Sequence, residues 1–392
     1  MWSAGVLTWE PVATLGMIAT ALAVVARRDA ASVPSLRAFA RDFWPVGLFV
    51  GWALAAPALG GHPPSGTGVA RTVDWLAVPI AAVAWARLDR RGRGAVLGAA
   101  GAVFVLSCGL AGLQHVGWWP PLEAFEPLRF TRIPFERVYE PVPGAEARYM
   151  GGGLPFHRLK FAHVGGFAAL ALLVAGLRLR GRARALCLSA AVAGVASIAV
   201  FPYARAASAA LLLAAVVGAI LSRPRRRVVF AVGALAAGSL LLASSIAPLR
   251  DRFASSVTAQ GSGDRHLLLS AGIAVVQTHL WTGLGPGRFR AMDHVGPDAP
   301  EHLRTQPGKA HNQFLSMAAE TGVPGALIFC GMLIALARRM NLASASGTFG
   351  MSALVFFAAL SLVHDPLFHA PFSMAVVLAL GIGCAREEQV QP

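Results

Sequence analysis

Apolar residues fall in eleven stretches of fifteen or more, near 5–26, 43–60, 69–86, 95–117, 159–177, 185–203, 206–221, 228–248, 323–337, 349–363 and 368–384. About twenty helical residues cross a bilayer core, so each stretch reads as a membrane span. The chain is expected to be an all-α polytopic membrane protein with 11–12 transmembrane helices, organised as one membrane domain over 1–392. The polar positions between spans alternate in charge. Arg27, Arg28, Arg37 and Arg41 form one basic connection; Arg87, Arg90, Arg91 and Arg93 the next; then Arg178, Arg180, Arg182 and Arg184. Arg223, Arg225, Arg226 and Arg227 follow, then Arg338 with Arg339, and finally Arg386. Basic connections face the cytoplasm, which puts the C-terminus inside and, with eleven spans, the N-terminus outside. The first stretch lacks a basic leader, and its positive flank follows it, so it reads as a span and not a cleaved signal.

Two long connections land on the outer side, 118–158 and 249–322. The first holds Trp118-Trp-Pro-Pro121 and ends in Gly151-Gly-Gly153, read as a flexible hinge. The second contains an amphipathic segment, 264–282, expected to be a helix near the interface with Asp264 as its N-cap. No internal repeat is visible, which disfavours an inverted-repeat transporter.

Composition agrees with this layout. Of 392 residues, 56% are hydrophobic and 14% charged, and mean hydropathy is +0.59. Soluble domains carry about 25% charged residues. The net charge of +15 would suggest nucleic acid in a soluble chain; here much of it is topology signal, and nucleic acid is not an expected partner. Only Lys160 and Lys309 are lysines. That bias suits bidentate phosphate binding, and a GC-rich genome would produce it equally. Cys108, Cys187, Cys330 and Cys384 sit in apolar runs without metal spacing.

The second loop carries the densest chemistry: Gly263-Asp-Arg265, Trp281-Thr-Gly-Leu-Gly-Pro-Gly-Arg-Phe289, Lys309-Ala-His-Asn-Gln-Phe-Leu315 and Glu320-Thr-Gly-Val-Pro-Gly325. Arg265 in a helical first turn would sit more comfortably with an anion between it and the free N–H groups. Gly283-Leu-Gly-Pro-Gly287, with Gly285 and Gly287, would form either an anion nest or an ordinary tight turn. Pro324 removes a donor, so Gly322–Gly325 should break a helix that begins near His311. A lone histidine there is either structural or a base. Lys309, Arg265, Arg288 and Arg290 in the same loop would lower its pKa and leave it neutral. Arg205, after Phe201-Pro-Tyr-Ala, either snorkels to headgroups or holds a lipid-linked phosphate. Asp365 between His364 and His369 suits no standard metal set. No Asp-x-Asp, Gly-x-Ser-x-Gly or His-Glu-x-x-His occurs, and the residues point to no metal and no cofactor.

Arg265, the run from Trp281 to Phe289, and His311-Asn312 to Gly325 resemble the O-antigen ligase/polymerase superfamily of bacterial membrane glycosyltransferases, over roughly residues 190–340. Length and the late outer loop look most like the O-antigen ligases. The resemblance implies a GT-C-like helical fold and an inner-membrane protein with its active site facing the periplasm. It implies metal-independent, inverting transfer of glycan from undecaprenyl pyrophosphate to lipid A–core by a monomer surrounded by membrane lipids. It assigns Arg205 and Arg265 to the pyrophosphate and His311 to the acceptor proton. Arg288, Arg290, Lys309, Asn312, Gly285 and Gly287 are candidate substrate-binding residues. Alternatives within the superfamily are an O-antigen polymerase and a ligase that glycosylates protein. A polyisoprenoid-phosphate transporter is the alternative of another class, although ionisable residues near mid-span are nearly absent.

Overall fold

In the computed structural model, the described residues are 15–20, 36–118, 141–142, 148–222, 259–305 and 308–386, with the backbone alone described at 36–40 and 259–263. The helices in chain order are α1 (Leu36–Leu59), α2 (Gly66–Val73), α3 (Ala77–Arg87) and α4 (Arg90–His115). Next come α5 (Arg158–Arg178), α6 (Gly181–Val200), α7 (Arg205–Leu221), α8 (Ala259–Thr278) and α9 (Glu301–Thr305). The last are α10 (Gln313–Arg339), α11 (Ala345–Ser361) and α12 (Ala370–Cys384). Among the described residues the only β pairing is an isolated bridge between Pro141 and Tyr149.

The protein is an all-α polytopic membrane protein. Six helical stretches among the described residues are long and apolar enough to cross a bilayer: 41–59 of α1, 66–87 through α2 and α3, α4, α5, α6 and α10. The shorter apolar helices α7, α11 and α12 fall on the stretches expected at 206–221, 349–363 and 368–384. The expected spans 5–26 and 228–248 lie outside the described residues, apart from a helical piece at 15–20.

The chain groups into two compact units. One comprises 1–18, 88–254 and 342–356. Its centre is α5, whose spanning window is 78% buried, packed on α4, α6 and α7. Small residues let the backbones approach: a Cβ at Gly165 would lie 2.9 Å from the Phe104 ring, and one at Gly166 would lie 2.5 Å from Phe356. The run Gly151–Gly153, expected to be a flexible hinge, is buried and fixed. Gly152 and Gly153 both donate from their backbone N–H to Gln114 Oε1 at 2.8 Å, and Leu154 N–H donates to Ser107 Oγ at 3.0 Å. The buried polar side chains of α4 dictate this, and nothing local to the glycines does.

The other unit comprises 19–87, 255–341 and 357–392. Here α1 and α8 pack on α10, and α12 packs on α3. Phe49, Trp75 and Phe329 form an aromatic centre, with ring centroids 5.1–6.1 Å apart in edge and tilted contacts. At 0–2% exposure these three are core, and they fix α1 and α10 beside the turn that precedes α3.

Candidate functional site

The site is built on the start of α10, within the second unit. Asn312 caps that helix: its Oδ1 accepts from Phe314 N–H at 3.1 Å and Leu315 N–H at 3.0 Å. These donors have no partner inside the helix, and an amide oxygen at the N-cap supplies one. Its own Nδ2 donates to Leu362 O at 3.3 Å. Gln313 adds two bonds to the same distant turn, from its N–H to His364 O at 3.1 Å and to its Oε1 from Leu367 N–H at 3.0 Å. Asn312 is therefore a positioning residue that ties the 362–367 turn to the residues around His311.

His311 holds a left-handed backbone, φ 53°, which is unfavourable for a residue with a Cβ and persists only where the surroundings enforce it. Its Nδ1 is buried and makes no hydrogen bond. The ring packs edge-on against His364, centroids 5.5 Å apart. Burial, and next the charge of Arg265, push its pKa below the ordinary histidine value, so the imidazole is neutral at pH 7 and able to accept a proton.

Arg265 does not stand where the sequence suggests. The helix begins at Ala259, five residues before Asp264, so Asp264 is interior and Arg265 lies beyond the first turn. The argument from the helix N-terminus fails for that reason. Asp264 pairs with His302 instead, Oδ2 to Nε2 at 2.7 Å. What Arg265 does share with the expectation is its electrostatic reach to His311.

The other loop cations are engaged. Lys309 Nζ lies 2.5 Å from Glu320 Oε1 and also donates to Phe289 O, and both side chains are nearly buried (12% and 17% exposed). Arg290 forms a two-pronged pair with Asp293 at 2.8 and 3.2 Å. Arg288 Nε donates to Pro63 O at 3.1 Å. Of the four cations expected to crowd His311, Arg265 is the one that acts on its pKa; the larger effect, burial, is invisible in a linear sequence.

The glycine run joins the break in α10. Gly322 has φ 73° and ψ 168°, two residues before Pro324. Pro324 has no N–H for Glu320 O, and Gly285 N–H takes that carbonyl at 2.8 Å. Leu284 N–H donates to Ala319 O at 2.9 Å, Val323 N–H to Leu280 O at 2.8 Å, and Trp52 Nε1 to Thr321 O at 3.0 Å. Gly285 therefore aims its donor at protein, and a Cβ there would lie 2.6 Å from His62 O. Gly287 abuts Ser65 and Gly68 at the start of α2. Positive φ at both glycines meets these close approaches without strain.

Sequence reasoning gave no role to two carboxylates. Glu320 neutralises Lys309. Asp365 is buried, neither of its oxygens makes a hydrogen bond, and desolvation raises its pKa to about 6. Ser316, Lys309 and the His311 backbone N–H lie near enough to favour its charged form, but burial outweighs them. Arg71, Lys309, Gln313, Ser316, Glu320 and Asp365 line a cavity of about 60 Å³, space for a few waters and not for a sugar ring. The Arg71 guanidinium stands 4.9 Å over the Phe368 ring at its edge. Among the described residues no three His, Cys, Asp or Glu side chains are grouped to hold a metal ion.

Arg205 belongs to the first unit, as the opening residue of α7, after a left-handed Tyr203, φ 51°. In a comparison with family models, the segment that holds both Arg205 and the start of α10, residues 190–330, matches the model described as O-antigen ligase. This segment is similar to the O-antigen ligases. No curated protein matches the chain. The O-antigen ligase match ends at 330 and so leaves out the 362–367 turn, which the hydrogen bonds of Asn312 and Gln313 join to it. It supports a likeness to membrane glycosyltransferases of the ligase/polymerase type.

Proposed function

We propose that this protein is an O-antigen ligase of the bacterial inner membrane. It would transfer glycan from undecaprenyl pyrophosphate to a sugar hydroxyl of lipid A–core at the periplasmic face. The observation that supports this most is His311: half-buried, neutral, with a buried and unbonded Nδ1, and held by a cap that a second turn locks in place. In the proposed step the acceptor hydroxyl gives its proton to His311 and its oxygen forms the new bond to the anomeric carbon. The bond from that carbon to the pyrophosphate oxygen breaks, and the electron pair leaves with the carrier. Attack from the face opposite the leaving group inverts the anomeric centre.

Pyrophosphate is a good leaving group, so cations that meet its developing charge can supply much of the stabilisation. Arg265 is proposed for that role, with Arg205 as a second phosphate-binding cation. Arg288, Arg290 and Lys309 are proposed to shape the loop through Pro63, Asp293 and Glu320. Gly285 and Gly287 are proposed to shape it by docking on the α10 break.

The test is reconstitution with undecaprenyl-pyrophosphate glycan and lipid A–core, with and without EDTA. Glycan on lipid A–core in both arms is expected. A longer lipid-linked polymer would mark a polymerase, glycan on protein would mark a protein ligase, and EDTA sensitivity would overturn the metal-free step. Arg205→Lys is expected to lose much of the activity if the fork of the guanidinium matters; unchanged kinetics would leave Arg205 a snorkelling residue.

A further inference from the structure

At the opposite end of α10 from His311, arginines from α1, from α10 and from just after α12 converge on one carboxylate. Arg339 Nη2 lies 2.8 Å from Asp42 Oδ1, and its Nη1 donates to the Asp42 carbonyl. Arg386 Nη2 lies 3.3 Å from Oδ2 and Arg41 Nε 3.6 Å from Oδ1. Arg338 joins Arg41, Asp42, Arg339, Cys384 and Arg386 around a concavity of about 530 Å³, within the range of small-ligand sites. Four positive charges thus face one negative charge. Asp42 is 17% exposed and saturated by Arg339, while Arg41 and Arg386 are 75% exposed and reach it only loosely.

Two ordinary effects explain why arginines stand at this end. The C-termini of α10 and α12 favour cations, and basic residues accumulate in cytoplasmic connections. Neither explains convergence. Long side chains free to snorkel would separate their like charges, and these turn toward one hollow. The hollow also lies at the ends of apolar helices, the level at which a bilayer places its phosphates. Arginine forks match phosphate oxygens two at a time.

We propose that this concavity binds a phosphate group, supplied by the headgroup of an anionic phospholipid or by free phosphate. Arg339 holds Asp42 and the helices together, and Arg41, Arg338 and Arg386 take the ligand.

The test uses the full chain in phosphatidylcholine nanodiscs with increasing phosphatidylglycerol, with retained lipid counted by native mass spectrometry. A parallel arm adds millimolar inorganic phosphate and follows thermal unfolding. Arg338→Ala/Arg386→Ala leaves the Arg339–Asp42 pair intact and is expected to weaken phosphatidylglycerol retention about 30-fold, at the usual net contribution of a hydrogen bond for each guanidinium lost from the ligand. Arg90→Ala/Arg91→Ala on α4 is expected to leave retention unchanged. Phosphatidylglycerol retention without a phosphate response identifies the headgroup as the source, and a phosphate response lost in the variant identifies the free ion. Equal retention and equal phosphate response in wild type and the Arg338/Arg386 variant overturn the proposal. So does no response to either ligand in wild type.

Discussion

Lys309 and Glu320 form a nearly buried ion pair, 2.5 Å from Nζ to Oε1, across the N-cap of α10. The pair brackets His311 in sequence and closes the turn that sets its backbone. Removing one partner leaves the other charge uncompensated, which costs about 3–5 kcal/mol in buried pairs. Lys309→Met and Glu320→Leu should therefore each lower the melting temperature sharply. The double variant should recover most of the loss. Additive losses in the double-mutant cycle would show that the two do not act as a pair.

The pH dependence of His311 has a defined sign. Burial and Arg265 both lower its pKa, so the neutral, reactive imidazole persists below pH 6.5. Removing the Arg265 charge weakens one of these effects and raises the pKa. The rate of His311 carbethoxylation by diethyl pyrocarbonate, read by mass spectrometry, should fall at higher pH in Arg265→Gln than in wild type. Identical inflections would detach Arg265 from His311. His311→Ala should abolish transfer while the protein stays inserted.

Asp365 lowers stability at neutral pH. Its folded pKa of about 6 lies above the ordinary carboxylate value, so between about pH 4 and 6 the folded state holds more of the proton than the unfolded state. Stability from this group therefore falls as pH rises through that window, by about 3 kcal/mol in all. Asp365→Asn should raise the melting temperature at pH 7.5, with the gain vanishing near pH 4. A pH-independent difference would mean that desolvation is not its cause. Asp365 lines the cavity beside Lys309, and poor transfer by the same variant would mark it as a residue that trades stability for activity.

Gly285→Ala places a Cβ 2.6 Å from His62 O at φ +90°. Strained backbone of this kind costs about 1–3 kcal/mol before the clash is counted. Loss of both stability and transfer is expected. Gly296→Ala, in the same loop with nothing within 4 Å, should change stability by no more than about 0.5 kcal/mol. Equal effects would show that loop flexibility, and not docking on α10, governs the site.

The spans were legible because burial in lipid demands long apolar runs: among the described residues, nine of the expected stretches carry named helices and a tenth carries the helical piece at 15–20. The break near Pro324 was legible too, since a missing N–H is a local fact. What escaped was non-local. Asp264 has the chemistry of a cap, but residues 259–263 extend the helix past it, where packing of Leu268, Ala271 and Val275 outweighs local preference. Asp365 stands 54 residues after His311, and only the bonds from Asn312 and Gln313 reveal that they are neighbours. For the glycine run an anion nest stayed open beside an ordinary tight turn, because the carbonyls that take the N–H groups of Leu284 and Gly285 come from residues 319 and 320.

The break in α10 bears on how the protein is made. Its missing rungs are lent by residues 280–285, which leave the ribosome about forty residues before the helix that needs them. The loop must therefore be available when α10 emerges. This helix cannot complete itself as an independent rod, and its last hydrogen bonds wait on the placement of the loop.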